Sequence, residues 1–389
     1  MSSGISKVTR FRFRLRLFRD VAILSLVKFL LTLLGAASKG DHPNRETLLA
    51  IDAGDLGWSL IEYQELHGSA VEYLGADRVL RVVIQHREYF FREWRRAVKD
   101  KAVTHIVFDP RSLADGAVRS WCQTLGVALW STAHEVVPIA RLTDVQVRRW
   151  RLQTAVVTAR SGTCTIFMDP GRAREVCVHR SLVGPMPLAL SRNTFSKVAQ
   201  LPGPAQDADL TVVFTGALYE PRATFLADLE NLLLQHGIRL ETRSRVLGAP
   251  RTPNDQYWDD LANSGVVVST SHMSVLRGQD DLKDTHFVYR FVEALAVGRP
   301  LVSTAVEGTE HLLEPGKHFL SGADPEAVCR QILLLLGDRA LRERICSDGQ
   351  SRVKELVEEN YFWREVDRTL NWVLTKTQLA ERPPSTTRR

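Results

Sequence analysis

The sequence predicts an α/β protein of two doubly wound domains facing a cleft, with a basic amphipathic segment ahead of them. Three observations carry that reading. The 389 residues exceed one ordinary domain and suit two of roughly 150–200 residues each. Short apolar runs that end in glycine or polar residues alternate with helical stretches, and the alternation occurs twice along the chain. Between the two series, from about residue 182 to 209, the pattern dissolves into proline-bearing chain, which reads as an interdomain linker.

The first series opens with LLAIDAG (Leu48 to Gly54), an apolar run closed by glycine, as in a buried parallel strand followed by a turn. Residues 58–66 read as a helix and VLRVVI (Val79 to Ile84) as a second strand. His86 to Lys101 form a helix that gathers Tyr89, Phe90, Trp94 and Val98 toward one side. HIVFDP (His105 to Pro110) is a third strand. LGVALWSTAHE (Leu125 to Glu135) reads as a fourth, with His134 at its polar end, and Thr154 to Pro170 as helix or strand edges. The second series runs LTVVFTG (Leu210 to Gly216), a helix from Pro221 to His236, and the strand Ile238 to Ser244. A helix around Tyr257 to Ala262, the strand Gly265 to Ser271, a helix from Val288 to Val297 and the strand Pro300 to Val306 follow. Long helices close the chain from Pro325 to about Ala380. The domains expected are therefore 46–195 and 210–380, joined by a linker at 196–209, with a polar, disordered tail at 381–389.

Composition narrows the class further. Hydrophobic residues make up 44% and charged residues 25%, which excludes disordered, collagenous and polytopic membrane chains. Cys122, Cys164, Cys177, Cys329 and Cys346 are scattered without a C-x-x-C pair, so neither a disulfide framework nor a zinc site is indicated. The net charge of +6 is unevenly placed. Residues 1–40 carry eight Lys and Arg against Asp20 alone, so the rest of the chain is close to neutral. That balance excludes a general nucleic-acid binder.

The basic end has its own pattern over residues 1–45. RFRFRLRLFR (Arg10 to Arg19) alternates arginine with Phe and Leu, and VAILSLVKFLLTLL (Val21 to Leu34) is mostly apolar with Lys28 at its centre. A bilayer span needs roughly 20 apolar residues, and this run is shorter. Ser25, Lys28 and Thr32 would share one stripe of a helix, which suits a helix lying in the headgroup plane. The expected location is cytoplasmic and peripheral to a membrane. A signal peptide with GAAS (Gly35 to Ser38) as its cleavage region, a short signal anchor, and a helix packed on the body are the alternatives.

Ligands in doubly wound sheets bind at the carboxyl ends of the strands, so chemistry is sought at strand-to-loop junctions. YRFVEALAVGRPLVSTAVEG (Tyr289 to Gly308) is the strongest such feature. A helix start after a loop offers amides and a positive dipole end to phosphate. Glu293 near that start can accept hydrogen bonds from a ribose diol, Arg290 is a phosphate candidate, and Gly298 ends the helix as a C′ glycine does. In VVFTGALYEPR (Val212 to Arg222), Gly216 lets backbone approach a ligand, and Arg222 opens a helix from which it can reach a pyrophosphate bidentately. GDLGWS (Gly54 to Ser59) follows the first strand, with Asp55 its best polar group. His134 at a strand end can take a proton from an acceptor hydroxyl, and His286 is a lesser candidate.

The segment Tyr289 to Gly308 resembles the donor-binding core of GT-B glycosyltransferases, of the "glycosyl transferases group 1" kind and its spore-maturation-protein-like branch. The resemblance spans roughly Leu210 to Asp367. It implies two Rossmann-like domains and a nucleotide-diphosphate sugar bound mainly by the C-terminal one, with Glu293 matching the ribose-binding glutamate. Relatives with the E-x7-E pattern carry a first glutamate eight positions earlier; here Thr285 stands there, with Asp284 one residue off. The strand–Gly–x–x–x–x–Arg pattern at Gly216 and Arg222 is similar to the start of the family's second domain, and His134 resembles its strand-end histidine.

These readings converge on a glycosyltransferase that moves a sugar from a nucleotide-diphosphate donor to an acceptor hydroxyl. Its catalytic candidates are His134 and Asp55. Donor-binding candidates are Gly216, Arg222, His286, Tyr289, Arg290 and Glu293. No D-x-D motif or metal cluster is visible, so metal-independent chemistry without a cofactor is expected, the nucleotide sugar serving as co-substrate. The basic end suggests an acceptor at a membrane surface, such as a glycolipid or glycan precursor. A GT-B nucleotide-sugar epimerase, or a membrane-tethered binding or assembly module with a degenerate donor site, are the alternatives.

Overall fold

The chain was analysed as a computed structural model, which describes residues 49–52, 60–84, 89–99, 101, 103–109, 117–134, 136–142, 156–157, 164–167, 182–183, 189–204, 211–244, 254–271, 287–306 and 308–370. The basic segment, Asp55, Thr285, His286 and the polar tail lie outside them.

The first domain is a six-stranded parallel sheet. Its strands are β1 (Leu49–Asp52), β2 (Val79–Val82), β3 (His105–Phe108), β4 (Val137–Leu142), β5 (Cys164–Phe167) and β6 (Leu182–Val183), in the spatial order β2-β1-β3-β4-β5-β6. Helices α1 (Leu60–Leu74), α2 (Phe90–Val98) and α3 (Ala117–Ala133) connect them. Helix α2 buries Trp94 and Val98 against Ile106, Phe108 and Val127 as expected, whereas Tyr89, expected on the same side, is the N-cap and is 51% exposed.

After α4 (Arg192–Val198) the second domain begins. Its strands are β7 (Val212–Gly216), β8 (Leu240–Ser244), β9 (Val266–Ser269), β10 (Leu301–Thr304) and β11 (Leu320–Gly322), in the order β11-β10-β9-β7-β8, all parallel. Helices α5 (Arg222–Leu234), α6 (Asn254–Ala262), α7 (Arg290–Ala296), α8 (Pro325–Gly337), α9 (Arg339–Glu358) and α10 (Tyr361–Leu370) accompany them. Every residue of β9 and β10 is buried. A parallel sheet covered on both faces selects such continuous Val, Leu and Ile runs, which is why these strands are plain in the sequence. Strands β1 and β7 each open a doubly wound order, 2-1-3-4-5, with a switch point beside the first strand.

Three expectations are corrected. The strand expected over Leu125 to Glu135 is not one: Leu125 to Ala133 is the second half of α3, Glu135 lies outside the described residues, and the fourth strand is Val137–Leu142. The buried stripe of α3 is Ser120, Gln123, Thr124, Val127, Ala128 and Ser131, spaced as a helix face requires. Four of these six are hydroxyl or amide residues, so apolar residues alone do not show the helical period. Second, the stretch expected to lack structure contains β6 and α4. Ser191 caps α4, its Oγ accepting from the Thr194 amide at 3.2 Å. Third, the C-terminal helices do not all belong to the second domain. Helix α10 buries Phe362, Trp363 and Val366 with Leu66, Ala70, Val107 and Ile139 of the first.

Candidate functional site

In the second sheet the switch point lies between β7 and β9, and the site grows from the carboxyl ends of these strands. Gly216 closes β7 at φ 147, in the region that side chains rarely adopt, and a Cβ there would meet the Phe214 ring at 3.3 Å. Only glycine lets the chain turn here. Beyond β9, Thr270 and Ser271 are buried, and Ser271 is tied to β10. Its amide donates to Thr304 Oγ1 at 2.7 Å, and its hydroxyl donates to the Ala305 carbonyl at 2.9 Å. These bonds pin the loop ends of β9 and β10 together.

Arg222 is the first residue of α5 and is 8% exposed. Its Nε donates to Thr270 Oγ1 at 2.7 Å, Nη2 to the Thr270 carbonyl at 3.4 Å and Nη1 to the Ala217 carbonyl at 3.1 Å. The guanidinium also lies over the Tyr219 ring at 4.2 Å. Burial pulls its pKa below the usual arginine range, and neighbouring Arg290 pulls in the same direction. Arg222 therefore fastens the loop after β7 to the end of β9; its fork already grips protein rather than reaching outward.

Arg290 opens α7. Its Nη2 donates to the Thr215 carbonyl at 3.0 Å, its Nη1 pairs with Glu293 Oε2 at 2.8 Å, and it lies over the Tyr257 ring at 5.2 Å. Glu293 is 5% exposed and sits one turn into the helix. Tyr289 precedes α7 as its N-cap, buried, its hydroxyl donating to the Ala189 carbonyl at 3.2 Å. The amides of Phe291, Val292 and Glu293 return to the carbonyls of Val288 and Tyr289, so the helix tip has fewer amides to offer than the sequence suggested. Gly298 follows the C-cap Val297 at φ 69, the left-handed C′ position expected of it.

The structure thus brings Gly216, Arg222, Tyr289, Arg290 and Glu293 to one edge of one sheet. It does not bring His134 to such an edge. His134 follows the last turn of α3, exposed, its ring 4.6 Å from Trp130, and the chain then enters the amino end of β4. A helix leading into a strand delivers its C-terminus to the amino edge, opposite the edge where ligands bind. Asp55 and His286 lie outside the described residues. Sequence reasoning missed Thr270, Ser271 and Thr304; their signal was the hydroxyl cluster closing two apolar strands, VVVSTS and LVST. At the switch point of the first sheet, Asp109 follows β3 and is 1% exposed. Among the described residues, no group of three or more His, Cys, Asp or Glu is placed to hold a metal, and no helix is long and apolar enough to cross a membrane.

Residues 222–364 match the family model described as "Glycosyl transferase-like", a match that begins at Arg222 itself. No curated protein matches the chain. Among solved structures, the sucrose-phosphate synthase of Thermosynechococcus elongatus aligns at 13% identity and TM-score 0.49, covering 86% of this chain and 100% of that one. HepE of Anabaena, solved with UDP and glucose, aligns at 12% identity and TM-score 0.49 with the same coverage. A glycosyltransferase of Rickettsia africae aligns at 9% identity and TM-score 0.46, again covering 86% and 100%. Residues 222–364, the greater part of the second of two doubly wound parallel sheet domains, are thus similar to the glycosyl transferase-like family.

Proposed function

We propose that the protein transfers a sugar from a nucleotide-diphosphate donor to an acceptor hydroxyl presented by the first domain. The observation that carries this reading is the pair of guanidiniums, Arg222 and Arg290, held side by side at the switch point of the second sheet. Arg222 is buried and Arg290, paired with Glu293, lies beside it, so two positive charges stand against one carboxylate and a diphosphate is a ligand that uses the repulsion between them. The glycosyl transferase-like match over the same residues supports the same chemistry.

In this proposal Arg290 contacts the departing diphosphate, and Arg222 acts by positioning the β7 and β9 loops around it. Glu293, fixed by its ion pair to Arg290, accepts from the ribose diol. Gly216 gives the donor access to the backbone. The leaving diphosphate is stabilised by fixed positive charge, which needs no reorganisation as the glycosidic bond breaks. The acceptor hydroxyl oxygen bonds to the anomeric carbon as the bond to the diphosphate breaks, and its proton passes to a base on the first domain, for which Asp55 is the candidate. Metal-independent transfer, and an acceptor at a membrane surface reached through residues 1–40, complete the proposal.

The test is a titration of the full chain with nucleoside diphosphates and their sugars, read by thermal shift, since a ligand that binds only the folded state raises Tm by mass action. Glu293→Ala is expected to weaken nucleoside diphosphate binding at least tenfold and to abolish turnover. A chain that ignores every such compound while folded, or a Glu293→Ala variant that binds as the wild type does, removes the reading.

A further inference from the structure

A cavity of about 390 Å³ opens on the opposite edge of the second sheet. Its wall includes Gly265 just before β9 and Arg299 just before β10, whereas the donor cleft grows from the far ends of these strands. Four residues per strand separate the two edges by roughly 13 Å. The remaining wall comes from α9 and from the chain between the two domains, residues 199–204.

Arg299 is the unusual group in it. Its Nε is shielded from solvent and makes no hydrogen bond, and among the described residues it forms no ion pair. Its guanidinium lies against the interdomain chain: a Cβ on Gly203 would come within 2.6 Å of both Nη atoms. Burial holds the Arg299 pKa down. The titratable neighbour acting on it is Cys346, in the same wall, whose thiol burial pushes up to about 11 and so keeps uncharged at neutral pH. Glu343 also lines the cavity, but its carboxylate is paired with Arg339 at 2.8 Å. A second arginine, Arg342, is buried in the same wall and anchored by Nη1 to the Leu335 carbonyl at 3.0 Å.

A half-buried guanidinium without a counter-ion is costly, and a cavity lined by Arg299 with Arg342 beside it offers an oxyanion a positive wall. We propose that this cavity is a second ligand site, distinct from the donor cleft, which takes inorganic phosphate or a small phosphate monoester through Arg299 and Arg342. The bound oxyanion bridges the interdomain chain, which Arg299 touches, to α9, which carries Arg342. Ser347 on α9 supplies a hydroxyl to the same space.

The experiment uses the full chain and 31P line broadening with calorimetry, titrating inorganic phosphate and, separately, glycerol 3-phosphate. Saturable binding is expected, weakened at least tenfold by Arg299→Gln and retained by Arg290→Ala in the donor cleft. Tighter binding of the monoester identifies it as the natural class; equal binding identifies phosphate itself. Ser347→Glu serves where Arg299→Gln does not fold: its carboxylate is expected to pair with Arg299, raise Tm and abolish phosphate binding. Phosphate binding that is absent from the wild type, unchanged by both Arg299→Gln and Ser347→Glu, or lost only with Arg290→Ala overturns the proposal. Nucleoside diphosphate binding in Arg299→Gln is read in parallel and stays as in the wild type, which separates this site from the donor reading.

Discussion

At Arg222 all three guanidinium nitrogens face protein acceptors on Thr270 and Ala217 before any ligand arrives. A lysine there keeps the charge but replaces a planar fork by one ammonium, so it cannot hold both loops. Arg222→Lys is therefore expected to cost about 1–3 kcal/mol of stability by the loss of buried charged hydrogen bonds. It should also weaken nucleoside diphosphate binding, with urea unfolding and a binding titration as the paired readouts. Lost binding at unchanged stability would instead assign Arg222 to direct contact. The sequence marked this residue because a basic residue follows a strand, a glycine and a short loop. It could not show where the guanidinium points, since that depends on Thr270, 48 residues away.

Among elements, β11 and α8 meet at Gly322. A Cβ there would lie 2.5 Å from the Val328 amide nitrogen and 2.7 Å from the Ala327 carbonyl carbon. Both are backbone atoms in the first turn of α8, whose position is set by the Asp324 cap accepting from the Ala327 amide at 2.7 Å. Gly322→Ala must move an element rather than a side chain, and about 1–3 kcal/mol of destabilisation is expected by chemical denaturation, as for other overpacked sites. Helix α3 teaches the complementary lesson. Strand β4 was displaced in the sequence reading because the buried face of α3 is polar, Thr124 Oγ1 donating to the Ser120 carbonyl at 2.9 Å. Hydroxyls satisfied within their own helix pack as small apolar groups do, but they leave no hydrophobic period to read.

For the whole molecule, the decisive contact is the return of α10 to the first domain. Trp363 is fully buried, its Nε1 donating to Ser69 Oγ at 2.9 Å, and Tyr73 donates to Asp367 at 2.6 Å. Trp363→Ala should cost about 3–5 kcal/mol, the range for emptying a large aromatic site. The loss is expected in the unfolding of the first domain although the residue lies in the last helix. Glu65 ties α1 to the start of α4 ahead of the second domain, accepting from the Ser191 amide at 2.8 Å, its hydroxyl at 2.7 Å and the Thr194 hydroxyl at 2.7 Å. Burial raises its pKa above the ordinary carboxylate value of 4.5, outweighing those hydrogen bonds. A carboxyl with a raised folded pKa binds more protons folded than unfolded. Its contribution is therefore full below 4.5 and is lost as pH rises through the folded value. Glu65→Gln should flatten that fall in stability, measured by urea unfolding as pH rises from the ordinary carboxylate value toward neutrality. A slope that survives the substitution would place its origin elsewhere.

By itself the sequence determined β1 to β3 of the first sheet, β7 to β10 of the second, and which residues stand at the strand and helix ends of the second domain. Gly216, Arg222, Arg290 and Glu293 sit at strand and helix ends whose local signals are strong. Such signals are short-range: a buried parallel strand must be apolar throughout, and a C′ glycine must follow its helix. Tertiary structure alone decided that Arg222 clamps rather than reaches, that His134 stands at the wrong edge, and that α10 closes the first domain. Each of these depends on partners tens to hundreds of residues away, and the pairing of distant side chains leaves no periodicity in a chain read from one end to the other.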